Sequence, residues 1–433
     1  MRALGDTPLS RRRFLAVSTA AGLGAASLSA CGGSSDGGQP SGKTTLEWWN
    51  ITTTDPAKKI WAQRAKEFEA QNPDVTIKIV ALENEAYKSK MTALIASGKL
   101  PDIFHTWGGG ILKQQIDAGL VEDLTSAAAS WTDRFVPVSL TPYQFGSKTY
   151  GIPFDIGGVG FWYNKALFAQ AGISAPPTTW NGYLDAVDKL KSKGITPIAL
   201  AGKEKWPGMY YWAYLAMRTA GLDAMAKAAT ANDFTGAGFV KAGQHLKDLV
   251  ALAPFQKGFL GAAYSLPNGQ AAAVGNGKAA MELMGQWAPS VQKSSGKGLG
   301  KDLGFFSFPS VEGGTGARTE VFGGGGAHAL RKGAPKAALD FLKFFAATGF
   351  DKKLVTETGL IPVVKDAASA LTDPNLKAVS TALNEATGFQ LFLDQAYAPA
   401  VGQEVNDSVA ALIAGDKSPD QVTRSITQVA KSQ

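Results

Sequence analysis

The chain has 433 residues, 45% of them hydrophobic and 18% charged, with a formal net charge of +7. These totals exclude a disordered chain and exceed the usual size of one domain, so two domains are expected. Residues 1–30 carry four arginines and one aspartate, so +3 of the charge lies there and +4 remains. With no run of five basic residues, nucleic-acid binding is unsupported. The one cysteine, Cys31, excludes an internal disulfide and a Cys-based metal site, and His105, His245 and His328 lack metal-ligand spacing. No metal or other cofactor is expected.

The chain opens with an address. Ser10-Arg11-Arg12-Arg13-Phe14-Leu15 precedes a weakly apolar, Ala/Ser-rich run to Ala30. Residues 1–30 thus read as a signal peptide that resembles the twin-arginine export type. Leu28-Ser29-Ala30-Cys31 resembles a bacterial lipobox, with the Cys31 thiol as the lipid acceptor. Residues 31–43 are a flexible Gly/Ser tether. The expected location is the extracytoplasmic face of the cell membrane, held by the lipid.

The body begins with a strand at Leu46–Trp49. Its two tryptophans alternate sides, so one belongs in the core. Asp55-Pro56 starts a helix, with Asp55 as N-cap, and Trp61, Ala65 and Phe68 share one face. Val75–Ile79 alternates as a strand, and Tyr87–Ser97 is a helix stopped by Gly98. Another strand begins at Pro101 and ends before Gly108-Gly109-Gly110, and a helix follows over 111–118. This βαβαβ order predicts a parallel sheet under helices, with ligands beyond the strands' carboxyl ends. Asn50, Glu83 and Trp107 stand at those ends.

Gly151–Phe168 (GIPFDIGGVGFWYNKALF) reads as a domain crossing. Its first half with Asp155 faces a cleft, and Trp162 and Tyr163 sit in core. A helix over 181–193 and a strand over 195–200 follow. Next come a loop carrying Trp206 and an aromatic helix from Met209. Further strands are expected at Ala279–Met284, leading to Gln286-Trp287, and at Leu303–Phe306. Gly323–Gly326 lacks the Lys-Ser/Thr of a phosphate loop and suggests a joint or a close backbone approach. A helix bearing Leu339, Leu342 and Phe345 precedes Gly359–Val363, a further crossing. The remainder, including Phe389–Gln395, is read as helical.

Taken together, PDIFHTW (101–107), YGIPFDIGGVGFWYNKALF (150–168), PPTTW (176–180), AAMELMGQW (279–287), FGGGGAHAL (322–330), APKAALDFLKFF (334–345) and GLIPV (359–363) stand in an order that resembles the maltose-binding-protein-like sugar-binding proteins of ABC importers. The likeness runs from about residue 44 to the end. It implies an α/β, two-lobed periplasmic-binding-protein fold, each lobe a mainly parallel sheet flanked by helices and joined by several hinge segments. Lobe 1 would comprise 44–155 and 321–360, and lobe 2 would comprise 156–320 and 361–433. It also implies no catalytic activity, an oligosaccharide ligand, ABC permease subunits as partners, and a monomer.

Sugars present hydroxyl edges and apolar faces, so a binder needs flat rings together with carboxylates or amides. By resemblance, Trp107 and Trp287 stack on sugar, Glu83 and Asp155 take hydroxyls, and Asn50 adds a polar contact. Trp206 is a third stacking candidate and Gln286 a further hydroxyl partner. Near the C-terminus the choice is Gln403, with Asp394 as the alternative. Gly108–Gly110 departs from charged family members, so maltose specificity does not carry over. Several tryptophans suggest two or more rings, in a xylo-, cello- or malto-oligosaccharide. Two rival readings stay open: an exported glycosidase using Glu83, Asp155 or Glu282, and a binder of a non-sugar solute.

Overall fold

The structure, a computed structural model, describes residues 43–433. The arginine motif, the lipobox with Cys31 and the tether up to residue 42 lie outside the described residues.

The first sheet has the order Val75–Ala81, Thr44–Asn50, Ile103–Thr106, Ala327–Leu330, Ile152–Pro153. Its first two pairings are parallel. The last two are antiparallel, because Ala327–Leu330 re-enters the sheet from the opposite direction. Alternation along Thr44–Asn50 buries Leu46 and Trp48 and leaves Trp49 at the boundary. Trp61, on the helix Ala57–Gln71, stacks on Trp48 with ring centroids 5.2 Å apart, and Ala65 and Phe68 are buried beside it. Asp55 does not cap this helix. Pro56 holds the cap position without a side-chain bond, and the Asp55 carboxylate is drawn one turn on to Lys59, 2.7 Å away. On the other side, Phe341 and Phe345 of the helix Lys336–Phe345 meet Trp48 edge-on.

A second sheet runs Leu303–Phe306, Gly160–Asn164, Ala279–Met284, Thr196–Ile198. It too is mixed, with Gly160–Asn164 antiparallel to both neighbours. Trp162 is fully buried and donates from Nε1 to the Met284 carbonyl at 3.1 Å. Tyr163 is only half-buried, packed on Phe168. The aromatic helix spans Trp206–Ala220, three residues earlier than the pattern predicts. Pro207 suits a first helical turn, where its missing N–H costs nothing.

Three segments meet in a small third sheet ordered Phe389–Leu391, Val321–Gly324, Gly157–Gly158. Phe389–Leu391 is therefore a strand, contrary to the helical expectation. It pairs in parallel with Val321–Gly323, whose free edge supplies the backbone partners a lone helical turn would lack. The glycines here serve close approach: a Cβ on Gly323 or Gly325 would overlap the Gly157 or Asp155 carbonyl oxygen. Beyond Gly359, a left-handed helix stop, Ile361 and Val363 are buried and Val363 accepts from the Val136 N–H. Leu393–Ala396 then leads into the helices Pro399–Ala414 and Pro419–Lys431, which pack on the second-sheet helices Trp206–Ala220 and Ala237–Ala251. Ser418 and Gln421 form a capping box on the last helix. The result is a two-lobed α/β body whose chain crosses between sheets repeatedly.

Candidate functional site

Asn50, Glu83 and Trp107 come together at the carboxyl edge of the first sheet. The Asn50 side chain accepts from the Thr52 N–H at 2.9 Å, and its buried Nδ2 has no partner. Glu83, exposed at the start of the helix Asn84–Ser97, accepts from the Thr53 hydroxyl at 2.6 Å. Trp107 is only 8% exposed and stands edge-on to Tyr87 and His105, with centroids at 5.7 and 4.7 Å.

Trp107 forms one wall of a cavity of about 260 Å³. Lys88, Gln114 and Gln115 line it from the first lobe, and Asp394, Gln403 and Asn406 line it from the C-terminal helices. Lys88 Nζ lies 3.0 Å from Asp394 Oδ2 and 5.5 Å from the Trp107 ring. Burial works against the Lys88 ammonium, but the Asp394 and Glu85 carboxylates outweigh it and its pKa is raised. Gln403 is exposed and donates to Asp407 at 3.0 Å, so its amide reaches the rim while Asn406, one turn on, is buried against Asp394.

A second patch lies on the other lobe. Trp206 meets Tyr210 and Tyr264 at 5.4 and 5.5 Å, Tyr210 stacks on Phe392 at 5.1 Å, and Phe392 faces Trp287 at 6.1 Å. Trp206 and Trp287 are both partly exposed. Asp394 adjoins both patches: besides pairing with Lys88, it adds to burial in pushing up the Tyr210 phenol.

Asp155 and Gln286 are bound to each other. Gln286 donates from Nε2 to Asp155 Oδ2 at 2.6 Å, while Asp155 Oδ1 and Gln286 Oε1 are buried without partners. Burial pushes the Asp155 carboxyl up to about 8, against the pull of Gln286 and the Ile361 and Ile156 amides. Gly157 makes room, since a Cβ there would overlap the Gln286 amide.

The eight described candidates thus fall into three groups: the first-sheet edge (Asn50, Glu83, Trp107, with Gln403 opposite), the aromatic patch (Trp206, Trp287), and the Asp155–Gln286 pair. Sequence reasoning missed Lys88, Asn406 and Tyr264. Asn406 was within reach, because it is three residues from Gln403 and shares its helix face. Lys88 and Tyr264 carry no local signal. Glu282, weighed as a possible acid, is fully buried, with its two oxygens accepting from Gln270 and Gln292 at 2.8 and 2.7 Å; burial pushes it up to about 7. Among the described residues, no group of three or more His, Cys, Asp or Glu could hold a metal ion, and no helix is long and apolar enough to cross a membrane.

Two lobes, hinge strands and a polar, aromatic-walled cavity between them define a solute-binding protein. The model of the bacterial extracellular solute-binding protein family matches residues 51–350, and the chain belongs to that family. It is 28% identical over 308 residues to the multiple sugar-binding protein of Streptococcus mutans, covering 68% of this chain and 69% of that one. A structure solved in a study of xylan utilization by Caldanaerobius polysaccharolyticus superposes with a TM-score of 0.83 at 31% identity, over 89% of this chain and 99% of that one. A chitin oligosaccharide binding protein gives 0.83 at 27%, over 90% and 98%.

Proposed function

We propose that this protein captures an oligosaccharide of two or more rings and delivers it to the permease of an ABC importer, without acting on it chemically. The observation that carries this reading is the cavity between the lobes, with Trp107 as a wall and Lys88, Asp394, Asn406 and Gln403 around it. Flat rings take the apolar faces of sugar, and the amides and carboxylates take its hydroxyls. Trp206 and Trp287 extend the stacking surface. Glu83 and Asn50 serve hydroxyls from the first lobe, and the unpartnered Asp155 Oδ1 and Gln286 Oε1 are two further hydrogen-bonding atoms. The closed state is favoured by ligand because only there do both lobes touch it. The enclosure of Glu282 between two glutamines speaks for binding rather than hydrolysis.

Relatives concerned with multiple sugars, xylan and chitin oligosaccharides support a sugar ligand. We favour a fragment of a plant polysaccharide, since flat β-linked chains suit several stacking rings. Lobe 1 is assigned residues 44–155 and 321–370, and lobe 2 residues 156–320 and 371–433, the last boundary moved from the expected 360. The packing of 365–370 on the helix Thr348–Thr358 favours drawing the last crossing near residue 371. The mature chain is a monomer tethered through lipidated Cys31 after export by the twin-arginine route.

Calorimetry against xylo-, cello-, malto- and chito-oligosaccharides, paired with small-angle scattering, tests the function. Heat and compaction are expected with at least one series, and neither with any series would overturn the reading. Labelling with radioactive palmitate, lost in Cys31→Ser, tests the anchor.

A further inference from the structure

Residues 108–110 do more than lack side chains. Gly110 sits in the first turn of the helix Gly109–Asp117 with an ordinary helical backbone, a position where alanine is locally the better residue by about 1 kcal/mol. The nearest atoms that a side chain there would meet belong to a segment far along the chain. A Cβ on Gly110 would overlap the Tyr397 carbonyl and lie 2.9 Å from the Ala398 backbone nitrogen. Gly109 presses the same segment, its Cβ position 2.5 Å from the Gln395 carbonyl oxygen. Residues 394–398 belong with the C-terminal helices that pack on the second lobe. The Lys88–Asp394 ion pair joins the same two faces at 3.0 Å, with Asp394 almost fully buried. Asn406 stands behind Asp394 at 3.5 Å.

We propose that residues 394–398 form the seat on which the first lobe closes, that Gly110 is kept free of a side chain to permit that backbone-to-backbone contact, and that Lys88–Asp394 is the ion pair that holds it. The idea rests on the two-lobed capture reading above. It makes Gly110 a positioning residue: it touches no ligand, and it sets how far the lobes approach. The ion pair is placed where it gains from closure. Open, both charges face water and attract weakly; closed, the same pair sits in a low-dielectric seam beside Trp107. Closure also completes the Trp107 cavity, since Asp394 and Asn406 enter its wall only when the seat is occupied.

The test is Gly110→Ala in the mature chain, with two readouts. Without ligand, where both proteins are open, small-angle scattering is expected to give the wild-type radius of gyration, while the thermal midpoint is unchanged or higher. With whichever of xylotetraose, cellotetraose, maltotetraose and chitotetraose the wild type binds, affinity is expected to fall at least tenfold and compaction to be lost. Lys88→Met, which leaves the glycine seat intact, is expected to weaken the ligand-induced compaction in the same direction. Gly110→Ala with wild-type ligand-induced compaction and affinity would overturn the seat. So would a Gly110→Ala protein that fails to fold, because the contact would then belong to the permanent core. Should the wild type bind none of the sugars, the capture reading fails and the seat that rests on it fails with it; a wild type that binds and compacts leaves Gly110→Ala to decide the seat alone.

Discussion

Gln286 spans from the end of a second-lobe strand to Asp155 in the first crossing, its Nε2 2.6 Å from Oδ2, and occupies the space a side chain on residue 157 would need. The pair leaves one oxygen of each residue unpartnered. Burial keeps the Asp155 carboxyl protonated near neutral pH, and a hydrogen bond between neutral partners contributes about 0.5–1.5 kcal/mol. Asp155→Ala is therefore expected to weaken oligosaccharide binding by roughly 2- to 10-fold while keeping the fold. Calorimetry with circular dichroism checks both halves, and equal affinity in mutant and wild type removes Asp155 from the site.

The same carboxyl predicts a pH effect. Its folded pKa is raised to about 8 by burial, against an ordinary value of 3.8. Between those values the folded state holds a proton that the unfolded state has lost. Stability linked to Asp155 is therefore present below about pH 4 and is lost as pH rises to about 8, by at most about 1.4 kcal/mol per pH unit. Urea unfolding of wild type and Asp155→Asn across this window should show the slope in the first and a flatter profile in the second.

His105 and His328 predict the opposite trend. They are paired across neighbouring strands and fully buried, and desolvation takes His105 down from 6.5 to about 3. His328 moves the same way, burial first and its neighbour second. Unfolding releases each to take up a proton, so stability falls as pH drops from about 6.5 towards 3. Replacing His105 by leucine is expected to shallow that fall; an unchanged acid limb would rule the histidine out as its cause.

Trp287 is one of two partly exposed rings of the second patch, and Trp287→Ala should cost roughly 10- to 100-fold in affinity, the scale of one large apolar contact. The ligand-induced change in tryptophan fluorescence should shrink with it. A variant that binds as tightly as wild type would reassign the ring to packing against Phe392.

Trp162→Ala should instead cost stability, about 3–5 kcal/mol, because the ring is fully buried and also loses its bond to the Met284 carbonyl. Denaturant unfolding measures this directly. Affinity in the surviving folded fraction should match wild type.

Local pattern carried much of this. Alternation in Thr44–Asn50 and the 3.6-residue stripe through Trp61, Ala65 and Phe68 were legible because one face of each is buried. Gly323–Gly326 was legible as a joint or a close approach, and the packing shows the close approach. Phe389–Leu391 was not: its strand exists only because Val321–Gly323, distant in sequence, offers an edge. Asp55 was misread because Lys59, one turn on, takes the carboxylate. The site was half legible. Strand ends pointed to Asn50, Glu83, Trp107 and Trp287, whereas Lys88 gains its place only through Asp394, which the chain supplies from far downstream.

The seat of Ala327–Leu330 inside the first sheet, between Ile103–Thr106 and Ile152–Pro153, bears on biosynthesis. While the ribosome is still making residues 160–320, the strand Ile103–Thr106 has an open edge where its later neighbour belongs. That sheet cannot be completed until residue 330 has emerged, although its other strands were made long before. Unpaired edges invite wrong partners, and non-local pairing is slow. A nascent chain stalled before residue 327 should accordingly be the form most prone to aggregate and most in need of a chaperone.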